Sequence, residues 1–429
     1  MKRISTRRFA SLAMMLVMLL SMVTIAANAE AANPVLNVAA HLQYDFLPEA
    51  LDAFKQAHPE YSEVNLTVGQ HIDSGVYAAM LQADDCPDLL LVGSGASRIM
   101  PLAEAGLIMD LTDIYMERGW DKRVLQSTMD TLKLTSNDHI YEVSMGMDVF
   151  TFKYFKSEFE ELGLNVPTTY EEYLTLLQAL KDAGRTPVGV GVMDNVMGGH
   201  MVSAFWQAFC GSDYVRDMMY NDVAFNDAAS VKAVEELRNF VDQGFINKNC
   251  MGLKLIEATA AFSTKQMSSF LCSQAFLDQF AQEGLDINDI GSFVIPSVDP
   301  SKPSLPIAGL AQCWVVPSNS KNVEGALAFL DYFLSDEYVK VAIELEDKGS
   351  WNTGIAACIV TDKSILDTIH HPIVKDAYRL LEEGYGFNCS PYLTGNLKTI
   401  YFESMQNVFA GVYTPQQAMD EMQRAKEEQ

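Results

Sequence analysis

A two-lobed α/β protein is the fold class that the sequence predicts, on three observations. Short apolar runs alternate with helically spaced segments from residue 35 onward. The chain has 429 residues, 49 % of them hydrophobic, which exceeds what a single core usually serves. No repeat, heptad array or low-complexity tract interrupts the alternation.

Residues 35–39 have strand character, and residues 47–57 place Leu47, Ala50, Leu51 and Phe54 on one helical face, closed by His58 and Pro59. Residues 64–68 alternate like a second strand. A helix over 77–83 then precedes 88–92, an unbroken apolar run typical of a strand buried on both faces, so this part is α/β with a mainly parallel sheet. After helical stretches to about residue 131 come a strand at 140–143 and a long apolar strand at 145–153, broken near its start by Gly146. Thr168 with Glu171 three residues on reads as a capping box, and Gly184 closes the helix it opens. Residues 186–192 read as a strand, 203–210 and 227–244 as helices, and 293–296 and 312–317 as short strands flanking a loop rich in Pro and Ser. Residues 323–334, 337–347 and 415–428 are helical in spacing.

The first 29 residues carry Lys2, Arg3, Arg7 and Arg8, then an apolar run, then Ala27-Asn28-Ala29, the order of a secretory signal peptide. No cysteine stands near that cleavage point, so lipid attachment there is not expected, and the mature chain is expected in a periplasm, at the cell surface or outside the cell. Removing this segment takes away four basic groups and no acidic one, moving the formal charge from -26 to -30. Such a surface repels nucleic acid and anionic lipid, so neither is an expected partner. The seven cysteines (Cys86, Cys210, Cys250, Cys272, Cys313, Cys358 and Cys389) are scattered, odd in number and without Cys-x-x-Cys spacing, which favours buried thiols over a disulfide framework.

The loop Gly93-Ser94-Gly95 follows an apolar strand, as a phosphate cradle would. A dinucleotide fingerprint needs a third glycine where Arg98 stands, and no Gly-Lys-Ser or Gly-Lys-Thr occurs. Ligands of open α/β sheets bind beyond the carboxyl ends of strands, so the loop is still a good place for polar contacts. No zinc helix, nucleophile elbow or EF-hand loop is present, and the seven histidines are dispersed, so no cofactor or metal is expected. Pairs of glutamates could be nominated as glycosidase carboxylates, but 56 acidic residues make such pairs a matter of chance.

Several segments together resemble the family 1 extracellular solute-binding proteins of ABC importers, whose members include maltose and oligosaccharide binders. Residues 80–90 followed by 102–113 resemble the first-lobe signature. Residues 155–181, with Leu162, Gly163 and Leu164 and then Pro167 to Tyr173, are similar to the entry into the second lobe; 225–227, 237–249, 318–330 and 414–423 complete the set. The resemblance implies the two-lobed type II fold of periplasmic binding proteins. It places an N-terminal lobe at 30–147 plus 308–352 and a C-terminal lobe at 148–307 plus 353–429, joined by crossings near 146–149, 307–310 and 350–354.

It also implies function: capture of a carbohydrate, expected to be an oligosaccharide, and delivery to the transmembrane permease subunits of an ABC importer by a monomer, without covalent chemistry. A secreted carbohydrate-active enzyme and a sensory protein presenting ligand to a receptor are the alternatives. Carried over by position, Arg98 falls on an arginine that bonds sugar hydroxyls and Ser94 on a stacking tryptophan of the maltose binders. Asp148 falls on a carboxylate at the first crossing, Gly309 lies at the second, and His41, with Gln43 beside it, and His200 occupy positions that touch ligand in relatives. A plain structural role stands open for each histidine. The main departure is Cys272 to Phe276, where Ala275 takes the principal stacking position; Phe276 or Trp351 is left to supply a ring.

Overall fold

The computed structural model describes residues 35–428, apart from 42–43, 45, 70–73, 135, 195 and 347–362. The expected signal peptide, Gln43, Trp351, Cys358 and the third crossing therefore lie outside the described residues.

Strand β1 (Val35–Ala40) runs parallel to β2 (Glu63–Val68) on one side and to β3 (Leu89–Gly93) on the other. Two further strands, β4 (Val143–Ser144) and β9 (Gln312–Val315), complete a sheet of order β2-β1-β3-β9-β4, with β9 antiparallel to both neighbours. Successive side chains of β3 enter different cores. Leu89 and Leu91 join the main cluster with Phe54 and Phe329, whereas Leu90 and Val92 pack with Tyr77, Leu81, Ile99 and Leu102. Helices cover both faces, which is why this run is apolar without alternation.

The second sheet is built on the nine-residue β5 (Met147–Phe155). Its first half pairs antiparallel with β8 (Ile307–Leu310), and its second half with β6 (Ser269–Cys272) and β7 (Ile290–Phe293). β10 (Gly386–Phe387) lies parallel on the far side of β8. Because β8 pairs with β5, the chain returns to the first sheet at Ala311, three residues later than the expected boundary at 308.

Among the described residues two chain passages connect the sheets, Met145-Gly146 and Ala311, and they lie side by side. Ala311 N donates to Gly146 O at 3.0 Å and Met145 N to Gln312 O at 2.8 Å. Gly146 sits at φ +141°, a conformation that side-chain-bearing residues avoid.

Two local expectations are corrected. Thr169, not Thr168, is the N-cap of helix Tyr170–Asp182: its side chain accepts from Glu172 N, and the Glu172 carboxylate takes the backbone N–H groups of Thr168 and Thr169 and the Thr168 hydroxyl. Residues 186–192 form no strand beyond isolated bridges from Val188 and Gly189. Asn247 Oδ1 takes the Val190 N–H at 2.8 Å in place of a neighbouring strand. Trp206 and Trp314 are fully buried core residues, and the six described cysteines are buried and unpaired. Among the described residues no helix is long and apolar enough to cross a membrane.

Candidate functional site

A cleft of about 490 Å³ opens where the two passages meet, walled by residues from both sheets. From the first sheet come His41, Tyr77, Gly93 and Arg98; the crossing strands bring Asp148, Phe150 and Gly309; the second side brings His200, Ser273, Phe276, Asn388, Lys398 and Phe402. Its size and its mix of rings with a few polar groups are those of a small-molecule site.

Arg98 stands in the first turns of helix Ala96–Glu104, just after β3. Its Nη1 donates to Ser94 O at 3.3 Å, and the guanidinium lies against Gly93, where a Cβ would meet Nη1 at 2.8 Å. The first glycine of the loop therefore makes room for the arginine. The second, Gly95, at φ +104°, meets the opposite wall: a Cβ there would come within 2.5 Å of Pro391 O.

Ser94 does not reach the cleft. It is fully buried, and its hydroxyl donates to Glu142 Oε1 at 2.8 Å. Glu142 is not among the residues that the sequence singles out, although a glutamate inside the apolar run 140–143 is a signal. Burial raises its pKa, opposed by hydrogen bonds from Cys313, Ser94 and Gly95 and by the Arg98 charge.

Asp148, the second residue of β5, stands directly opposite Gly309 of β8, so two of the expected site residues form one cross-strand pair. Burial lifts its carboxyl to about 6, against the opposing effect of a Ser273 hydrogen bond. Gln274 clamps the backbone on either side of it: its Oε1 accepts from Val149 N and its Nε2 donates to Met147 O, both at 3.0 Å. The clamp holds the aspartate at the cleft wall.

His200, on helix Val196–Cys210, lies over Phe150 with ring centroids 4.4 Å apart. Burial pulls its pKa down to about 4, so the ring is neutral at neutral pH. Its Nδ1 donates to Asn388 Oδ1 at 3.0 Å, leaving Nε2 as the acceptor. His41 lines the cleft with both ring nitrogens engaged, Nδ1 donating to Leu91 O at 3.2 Å and Nε2 accepting from Tyr44 OH at 3.3 Å. That geometry fits a residue that shapes the wall.

Phe276 is half-buried at the start of helix Phe276–Gln282 and lines the cleft; Ala275 does not. Tyr77, Phe150 and Phe402 are further rings that the sequence did not single out. Lys398 is another: from helix Gly395–Ala410 its Nζ donates to Ser97 Oγ at 2.7 Å on the opposite side. Burial, with the nearby Arg98 charge, lowers its pKa to about 8. Among the described residues no three His, Cys, Asp or Glu side chains gather as a metal-ligand set. The arrangement offers hydrogen-bond donors, acceptors and ring faces to a polar solute.

Comparison with known proteins agrees with this architecture. A multiple sugar-binding protein of Streptococcus mutans is 27 % identical over 135 residues, 30 % of this chain; the match spans about a third (32 %) of that relative's length. A solved protein of the thermophilic bacterium Caldanaerobius polysaccharolyticus, described in connection with xylan utilization, superposes with a TM-score of 0.75 at 20 % identity, covering 91 % of this chain and 99 % of its own. A chitin oligosaccharide binding protein gives 0.72 at 19 % identity, covering 92 % and 98 %. At these identities the likeness shows the fold, the two-lobed type II arrangement of solute-binding proteins. The family model for bacterial extracellular solute-binding protein matches residues 39–340. With most of its length matched, the chain belongs to the bacterial extracellular solute-binding proteins.

Proposed function

We propose that the protein captures a carbohydrate in the cleft between its lobes and delivers it, with the lobes closed, to the permease of an ABC importer. The observation that carries this reading is the convergence of polar and aromatic groups from both sheets on one cleft beside the paired passages. The lobes in this reading are 30–147 with 311–352 and 148–310 with 353–429, and residues 1–29 direct export. Arg98, Asp148, His200 and Asn388 bond hydroxyls. Phe276, Phe150 and Phe402 offer ring faces in place of one at the Ala275 stacking position. The names of the sugar-binding relatives support carbohydrate over other solutes.

Binding without turnover is part of the proposal. Calorimetry and thermal melting of the mature chain against neutral and acidic mono- and oligosaccharides, amino acids and polyamines test it. A saccharide is expected to raise the melting temperature and give saturable heat, with the sugar recovered intact. A shift from another solute class alone, or release of new sugar ends, would overturn it.

A further inference from the structure

The cleft carries a charge pattern opposite to that of the whole molecule. Acidic residues number 56 against 30 lysines and arginines. Yet the charged side chains lining the cleft are Arg98, Lys398 and Asp148, two cations to one acid. The arginines elsewhere in the described residues are spoken for: Arg118, Arg123, Arg185, Arg216, Arg238, Arg379 and Arg424 each make an ion pair. Arg98 instead donates to a backbone carbonyl and Lys398 to a serine hydroxyl.

The two like charges share one cleft, and burial first, with the Arg98 charge adding to it, disfavours the ammonium form of Lys398. They approach from opposite walls, Arg98 from the loop after β3 and Lys398 from helix Gly395–Ala410. The nearby acids balance them incompletely: Glu142 is buried behind the loop, and burial disfavours the charged form of both Glu142 and Asp148. An anion held between Arg98 and Lys398 relieves the repulsion and accepts charge-assisted hydrogen bonds from both sides, so it draws the lobes together.

Resting on the carbohydrate reading above, we propose that the saccharide carries an anionic substituent, seated between Arg98 and Lys398. A uronate carboxylate and a sulfate ester present the same chemistry to these donors, and the test separates them.

Calorimetry of the mature chain compares glucuronic and galacturonic acids and their oligomers with glucose, galactose and their neutral oligomers, and with glucose 6-sulfate. An acidic sugar is expected to bind at least about tenfold tighter than its neutral counterpart. A uronate preference identifies the carboxylate and a preference for glucose 6-sulfate the ester. Lys398→Met should abolish the preference, Lys398→Arg should keep most of it, and thermal melts of the ligand-free variants report folding. Neutral sugars binding as tightly as acidic ones would overturn this proposal and leave the carbohydrate reading intact. Binding of simple dicarboxylates such as glutarate with no saccharide bound would overturn the carbohydrate reading instead. A preference that survives Lys398→Met in a folded protein would sink the assignment to this pair.

Discussion

Gly95 and Pro391 touch across the cleft so closely that a single methyl group on Gly95 would lie 2.5 Å from the Pro391 carbonyl oxygen. The contact joins the loop after β3 to the segment between β10 and helix Gly395–Ala410, so it links the two lobes. Gly95→Ala should therefore act on closure more than on folding. We expect ligand affinity to fall at least about tenfold and the melting temperature by a few degrees, the latter from a side chain at positive φ. X-ray scattering of the variant should show a larger radius of gyration; a variant as compact as the parent contradicts the assignment.

Folding takes up a proton at Asp148, whose carboxyl rises from 3.8 to about 6, and releases one at His200, whose ring falls from 6.5 to about 4. A raised acid pKa costs stability as pH climbs between these values, and a lowered base pKa costs stability as pH falls between them. The two effects oppose each other over nearly the same window. Relative to the parent, Asp148→Asn should gain about 1–3 kcal/mol at pH 7 and lose that advantage as pH falls toward 4. His200→Gln should gain as pH falls from 6.5 to 4. Melting curves across this range decide the matter: parallel pH profiles for parent and variants would show that neither group is shifted.

Gln274 holds the backbone on both sides of Asp148. Gln274→Ala removes both partners at once and should cost about 2 kcal/mol in urea unfolding. Ligand affinity should drop with it, because Asp148 loses its fixed position. Unchanged stability would mean that water replaces the clamp without cost.

Lys153 is fully buried in β5, its Nζ donating to Thr151 Oγ1 at 2.5 Å and Cys272 O at 3.1 Å. Burial holds its pKa below the ordinary 10.5, so the charged form is a cost that grows as pH falls below that value. Lys153→Met fills a similar volume and should stabilise by about 1–2 kcal/mol near neutral pH, with a smaller gain as pH approaches 10. A strongly destabilised variant in chemical unfolding would show that the ammonium is needed for the sheet.

The parts of the site legible in the sequence are those with a local signature. Asp148 is a charge in an apolar strand, and the loop at Gly93 follows a strand that periodicity identifies; Gly309 has no local mark and is placed only by the resemblance. Lys398 and Asn388 have no such mark. Each meets at the cleft a partner far along the chain, Ser97 at a separation of 301 and His200 at 188. Ser94 shows the converse error: its position matched a ligand contact, but its small side chain turns inward to satisfy Glu142, a demand set by three-dimensional packing. The second sheet was harder to read than the first for a similar reason. Its central strand β5 takes antiparallel partners from three later parts of the chain, and no local pattern announces which.

The six described thiols, buried and unpaired, make the interior a clock. Burial drives the thiols of Cys210, Cys272 and Cys389 up to about 12, so they carry almost no thiolate while the fold is closed. A thiol reagent must wait for each site to open, and the waiting time measures the free energy of that opening. Cys86 and Cys313 time the first lobe; Cys210, Cys250, Cys272 and Cys389 time the second. The order of labelling would thus reveal which half of the molecule loosens first, and whether a bound solute slows both halves alike.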